Sequence, residues 1–204
     1  MPVSAHQTSV DTGPYGRTVP IRLPEATPEA RCSDPIADRP AHEDVVTFAR
    51  ATWSDMVTIE AMFERCSVQA LHRRFFRPLP SAPHGYVEEV LGDRDNHHAF
   101  VVQRGDKTIG LAELHLEGPW SGALALIVED PYQRKGVGTA ALQVLLCHAR
   151  ELGLRMLTAD VLFENSVVLR ALRRVGPVSV SRADDILHVE VDLESAALAR
   201  LRAG

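Results

Sequence analysis

The stretch Ala123 to Leu152, ALALIVEDPYQRKGVGTAALQVLLCHAREL, dictates more about the fold than any other part of the chain. An apolar run ending near Val128 has the length and bulk of a buried strand. A loop follows that holds Asp130, Pro131, Gln133, Arg134, Lys135, Gly136 and Gly138. The spacing then predicts a long helix from about Val137, with Val137, Ala141, Val144, Leu145 and Leu152 as a core stripe against a sheet. A strand, a glycine-bearing loop and a helix start together form an anion site. Glycines let backbone approach a ligand closely, the first helical amides lack intrahelical partners, and the positive end of the helix dipole adds to Arg134 and Lys135. A pyrophosphate fits that chemistry; a glycine-bearing surface loop with solvated charges is the plain alternative.

Spacing separates three phosphate motifs. The G-x-x-x-x-G-K-[ST] pattern is absent, which excludes a P-loop nucleotidase. Gly136, Gly138 and Ala141 satisfy G-x-G-x-x-A, and Asp160 lies near the end of the next strand, as in a dinucleotide fingerprint. The context does not match, because that fingerprint puts its first glycine in a tight turn directly after the strand, whereas here Glu129 to Lys135 intervene. There remains Q-x-x-G-x-G, read as Gln133-Arg134-Lys135-Gly136-Val137-Gly138.

The surrounding elements follow from pattern. Val45 to Phe48 reads as a strand, and Ser54 or Asp55 caps a helix whose Ile59, Met62, Phe63 and Cys66 share one face. Ser67 caps a second helix, Val68 to Phe76 with Leu71 and Phe75 inward, which Pro78, Pro80 and Pro83 stop. Tyr86 to Leu91 forms a further turn or two. Strands are expected at Ala99 to Gln103, Thr108 to Leu116 and Ala123 to Val128, in an antiparallel meander turned at Arg104-Gly105-Asp106-Lys107 and Gly118-Pro119. Residues 1-44 carry seven of the thirteen prolines and few aliphatics, so they are expected to form an irregular, mildly acidic extension.

Charge and cysteine usage narrow the function. With 22 basic and 27 acidic residues the net charge is −5, which offers no basic footprint for nucleic acid. No stretch is long and apolar enough to span a bilayer and the N-terminus has no signal-peptide pattern, so the expected location is the cytoplasm. Cys32, Cys66 and Cys147 are odd in number and scattered, which argues against a disulfide framework or a zinc site. His97-His98 is a weak metal candidate, since adjacent strand residues face opposite ways and no third ligand is evident. The expectation is no metal.

The Gln133 to Gly138 loop resembles the acyl-CoA pyrophosphate loop of the GNAT (Gcn5-related) acetyltransferases. Val128 and Tyr132 match the family's V-x-P-x-Y-like segment, with Pro131 one place late. Arg155 to Leu162 is similar to the family's next parallel strand, Asn165 opens a helix through Val168, Leu169, Leu172 and Val175, and Val178 to Ser181 and Ile186 to Asp192 match the closing strands around an Arg182 to Asp185 turn. The resemblance covers about Val45 to Leu193. Arg65-Cys66-Ser67 and Arg73-Arg74-Phe75-Phe76 further resemble the opening helices of bacterial Pat-type protein lysine acetyltransferase domains.

That resemblance implies a single α/β domain over residues 45-193, with a mixed, mostly antiparallel twisted sheet split between its central parallel strands, flanked by helices and followed by a tail at 194-204. It implies that acetyl-CoA lies against Leu126, Ile127, Val128, Gln133, Arg134, Lys135, Gly136, Val137, Gly138, Thr139 and Asn165. The Leu126 amide would hold the oxyanion while a primary amine, a protein lysine among the candidates, attacks the thioester. A homodimer is compatible with it. The chain departs from the family twice. Gly122, Ala123 and Leu124 stand where many members keep a general-base glutamate, and Leu172 stands where many keep a tyrosine acid. Glu113 is the expected replacement base, because alternation sets Leu111, Glu113 and His115 opposite Gly110, Ala112, Leu114 and Leu116; an exposed edge glutamate is its plain alternative. Glu129 and Glu164 read as solvated or helix-capping, His148 as a half-buried packing residue, and Trp53 and Trp120 as packing at strand ends. A non-catalytic acyl-CoA-binding sensor or regulatory module is the rival to an enzyme.

Overall fold

The computed structural model describes residues 21-22 and 45-195. The expected irregular extension and C-terminal tail lie outside the described residues except at Ile21–Arg22, which pairs as a strand, and at Glu194 and Ser195.

Among the described residues eight strands form one sheet in the order β1-β2-β3-β4-β5-β6-β8-β7. They are β1 (Ile21–Arg22), β2 (Val45–Arg50), β3 (His97–Arg104), β4 (Lys107–Leu116), β5 (Ser121–Val128), β6 (Met156–Leu162), β7 (Val178–Ala183) and β8 (Ile186–Asp192). All neighbours are antiparallel except β5 and β6, which run parallel. The meander is as expected, with longer strands at most ends. Ladder bonds carry β2 on to Arg50 and β3 back to His97, beyond the apolar runs that marked them. The expected turn at Arg182 tightens to two residues, with Asp184 at φ +52°.

Alternation along the central strands loads both faces of the sheet. On one face Ala112 and Leu114 join α4 (Val137–Glu151) in the larger core, with Ala141, Leu145 and Ala149 at its centre. On the other, Leu111, Val101 and Ile127 meet α1 (Met56–Arg65), α2 (Val68–Phe75) and α3 (Tyr86–Gly92). The α1 stripe of Ile59, Met62, Phe63 and Cys66 is buried as its spacing predicts. The α4 stripe is broader than predicted. Ala140, Leu142, Leu146 and His148 are buried as well, and Leu152, one residue past the helix, is exposed. Ser67 caps α2 by accepting from the Ala70 amide. Helix α5 (Ser166–Leu172) returns the chain beside the β5–β6 gap. No helix among the described residues is long and apolar enough to cross a membrane.

Candidate active site

β5 and β6 pair only at Ser121 with Met156, Gly122 with Leu157 and Ala123 with Thr158, and then diverge. From Leu124 onward β5 keeps β4 on one side alone. The Glu129 amide donates to the Ile109 carbonyl at 2.8 Å, and the Glu117 amide to the Ser121 carbonyl at 3.0 Å, so the ladder phase is set at both ends. Antiparallel alternation then turns the amides of Leu124, Leu126 and Val128 away from β4, toward the gap. A cleft of about 870 Å³ opens there.

The loop beyond β5 closes the gap at its wide end. A short 3-10 turn at Asp130–Tyr132 leads to Gln133, whose side-chain amide donates to the Val128 carbonyl at 2.8 Å. Arg134 and Gly136 take positive φ, +59° and +85°, and Gly136 is the N-cap of α4. The first helical bond runs from the Ala140 amide to the Gly136 carbonyl, which leaves the amides of Val137, Gly138 and Thr139 without intrahelical partners. A Cβ at Gly136 would meet nothing within 4 Å, and one at Gly138 would come no closer than 3.6 Å, to Leu126. The helix end is therefore open at Gly136, while Gly138 lies at ordinary contact distance from Leu126.

Leu126, Ile127, Val128, Gln133, Arg134, Gly136, Gly138, Thr139 and Asn165 all line this cleft. Val137 sends its side chain into the core, so it has only backbone to offer, and Lys135 is exposed outside the lining. Asn165 precedes α5 without spending its side chain on a cap, which leaves the amide available on the β6 side.

Two clamps hold the loop from behind. Asp130 accepts from the Ser67 amide at 2.9 Å and from the Ser67 hydroxyl at 2.7 Å, and those bonds hold its carboxyl below the ordinary value although partial burial opposes them. Glu129 is buried, against the expectation of a solvated loop residue. It accepts from Arg65 Nε at 2.6 Å and Lys107 Nζ at 2.8 Å. The Arg65-Cys66-Ser67 segment is thus the brace of the loop, a role no spacing within the sequence discloses. Burial, with Asp130 and Glu129 nearby, pushes the Cys66 thiol up to about 12, so it is inert.

The opposite wall carries Glu113, His97, His115 and Arg74. Glu113 is 1% exposed, not an edge residue. Its Oε1 accepts from Arg74 at 3.1 Å; Oε2 accepts from Tyr86 Oη at 2.6 Å and from His97 Nε2 at 3.1 Å. Arg74 also bonds the Tyr86 hydroxyl. Burial would raise the carboxyl, but the Arg74 charge and the His97 and Tyr86 bonds prevail and bring it down to about 2. Tyr86 moves the other way, well up, through burial and the adjacent carboxylate. Ala123 and Ala125, small and paired with His115 and Glu113, leave room between this cluster and the β5 edge.

The two departures at β5 and α5 are visible in the packing. A Cβ at Gly122 would sit 2.8 Å from Leu114 Cδ1, 3.1 Å from the His115 carbonyl and 3.2 Å from Leu154 Cδ1, so a side chain there would have to displace the two leucine ends. Leu172 is 1% exposed and brings no hydroxyl. Of the remaining candidates, Asp160 pairs with His188 at 2.5 Å across β6 and β8, Glu164 is exposed, and Trp53 and Trp120 are both more than half exposed, with Arg155 over the Trp120 ring at 4.5 Å. His98 points to the face opposite His97 and bonds His148 at 2.8 Å and Arg50 at 2.7 Å.

Comparison with known proteins agrees with this geometry. Residues 65–176, more than half of the chain, match the model of the acetyltransferase (GNAT) family. The acetyltransferase Pat of Mycolicibacterium smegmatis is 29% identical over 133 residues, which span 62% of this chain but only 39% of that protein. Among solved structures, the GNAT domain of S. lividans PAT superposes with a TM-score of 0.67 at 23% identity, covering 76% of this chain and 100% of that one. The spermidine N-acetyltransferase of Vibrio cholerae, in complex with CoA and spermine, gives 0.58 at 17% identity over 74% and 98%. An open β5 edge, a glycine loop capping α4 and a matching family model converge: this chain belongs to the acetyltransferase (GNAT) family.

Proposed function

We propose that this chain is an acetyl-CoA-dependent N-acetyltransferase acting on a primary amine, with residues 45-193 as its working domain and the cytoplasm as its setting. The observation that carries the reading is the splayed pair of β5 and β6 beside unpaired helix amides. The pyrophosphate of coenzyme A sits on the amides of residues 134 to 139, with Arg134 and Lys135 adding charge. The pantetheine arm runs along the gap against the backbone of Leu126 to Val128, and Asn165 meets it from the β6 side. The Leu126 amide faces the thioester carbonyl and holds the oxyanion that forms on attack. That the V. cholerae spermidine N-acetyltransferase is solved with CoA and spermine supports a coenzyme A ester and an amine as the ligands.

The acceptor enters on the face of Glu113, His97 and His115. An alkylamine with a pKa of about 10.4 is mostly protonated at pH 7, which puts about 5 kcal/mol between it and the nucleophilic form. Glu113 is the carboxylate nearest this approach, on the side where Ala123 leaves the usual position empty. A protein lysine is the acceptor favoured by the likeness to the Pat enzyme, through the Arg65-Cys66-Ser67 and Arg73-Arg74 segments that brace loop and cluster.

Calorimetry and thiol release test the reading together. Wild type binds acetyl-CoA, and a Gly138→Asp variant, which places a negative charge at the pyrophosphate while suiting a helix N-terminus, loses that binding. Free thiol appears with at least one of lysine peptides, polyamines, amino acids or aminoglycosides. Equal binding by both proteins overturns the proposal. Tight binding without thiol release from any acceptor favours a sensor module instead, a reading that the aliphatic Leu172 and the missing carboxylate at 122 to 124 keep in play.

A further inference from the structure

Glu113 cannot easily take a proton itself. Its two oxygens already accept from Arg74, Tyr86 and His97, and a carboxyl brought down to about 2 is a weak base toward an ammonium group. Its immediate neighbour is better suited. His97 lines the cleft with its side chain 16% exposed, while the carboxylate behind it is 1% exposed. An ionised carboxylate only accepts hydrogen bonds, so the hydrogen between them belongs to His97 Nε2. The ring's other nitrogen, Nδ1, then carries a lone pair, and among the described residues it has no hydrogen-bond partner. The backbone is fixed as well, since the His97 amide donates to the Asp93 carbonyl at 2.7 Å. An imidazole held in one tautomer by a buried carboxylate, with its second nitrogen free beside an open cleft, has the arrangement of a general base.

We propose that His97 is the catalytic base of the acetyl transfer and that Glu113 is the residue that positions it. The inference rests on the transferase reading above. In the step, the acceptor ammonium gives one proton to His97 Nδ1, directly or through one water. The freed nitrogen lone pair forms the N–C bond to the thioester carbonyl, and the C–S bond breaks as the coenzyme A thiolate leaves with its electron pair. The second nitrogen proton passes to that thiolate through solvent, and His97 returns its proton to water. The charged and titratable groups around the ring are Glu113 and His115 on β4, Arg74 on α2 and Tyr86 on α3, with His98 on its own strand facing the other core. His115, its ring 5.3 Å from that of His97, is more exposed and has no carboxylate bonded to it among the described residues.

The test is the pH dependence of kcat in His97→Gln, Glu113→Gln and His115→Gln, using whichever amine of the panel the wild type turns over fastest. Wild type should lose rate on the acid side as an imidazole becomes protonated. His97→Gln should lower kcat at pH 7.5 by about 10²-fold or more and abolish that acid limb, with acetyl-CoA affinity unchanged to within about twofold. Glu113→Gln should lower kcat by about tenfold or more with acetyl-CoA affinity unchanged to within about twofold, because the ring loses the carboxylate that fixes its tautomer. Added imidazole should restore rate to His97→Ala, which a merely structural role would not allow. A His97→Gln enzyme within about threefold of wild type and with the same profile overturns the assignment while leaving the transferase reading intact. A limb that follows His115→Gln overturns it too. A wild type that releases no thiol with any amine overturns both.

Discussion

The two walls of the cleft are built from different material. The wall we assign to the cofactor is backbone: the free edge of β5, the amides that open α4, and Gly136 at φ +85°. The wall we assign to the acceptor is side chain: a buried carboxylate saturated by an arginine, a tyrosine and a histidine from three different elements. Each wall has an anchoring glutamate, Glu129 behind the loop and Glu113 on β4, and both are buried to within 2%. Their partners differ. Arg65 and Lys107 beside Glu129 have side chains 38% and 43% exposed, whereas Arg74 and His97 beside Glu113 are each 16% exposed. A carboxylate whose cations reach water can exchange them for solvent at small cost, while one enclosed with its cation depends on it.

That contrast sets an order of effects. Arg74→Ala leaves Glu113 buried without its cation and should cost about 3–5 kcal/mol of stability, measured by urea unfolding; a loss under about 1 kcal/mol would mean that water reaches the carboxylate and that the two glutamates are alike. Gly136→Ala follows, at about 1–2 kcal/mol, since a positive φ penalises any Cβ even where nothing crowds it. Lys107→Ala should cost no more than about 1 kcal/mol, because its ammonium is partly solvated and Arg65 still holds Glu129.

Two pH effects refine the comparison. Glu113 has a folded value brought down from 4.5 to about 2, so its contribution to stability is present above the higher figure and lost as pH falls toward the lower; Glu113→Gln should flatten that part of the Tm profile. His98 reads on the opposite core. Burial first, then the Arg50 charge and the His148 ring, bring it from 6.5 to about 4. The unfolded chain therefore binds more protons in that interval, and Tm should decline as pH drops from 6.5 to 4 in wild type but less so in His98→Gln.

The loop and the strands around it were legible because their signals are local. Gln133 to Gly138 occupy consecutive positions, and the amphipathic spacing of α1 and the alternation of β4 repeat within a few residues. What alternation could not say is whether both faces of β4 are covered. Glu113 therefore read equally well as an edge residue, and Glu129 as a solvated one, until α1, α2 and α3 were seen to close over them. The two segments carrying the likeness to Pat domains were recognisable as strings, yet their work, Ser67 on Asp130 and Arg74 on Glu113, joins residues 63 and 39 positions apart.

An anion site made of amides at a helix start is written in neighbouring residues, since the backbone groups it uses are fixed by local φ and ψ. The wall around Glu113 is another matter: Arg74, Tyr86 and His97 lie 39, 27 and 16 residues from it. Only the packing of three helices on one sheet face brings them within hydrogen-bond reach and removes the water that would otherwise leave each of them an ordinary solvated side chain.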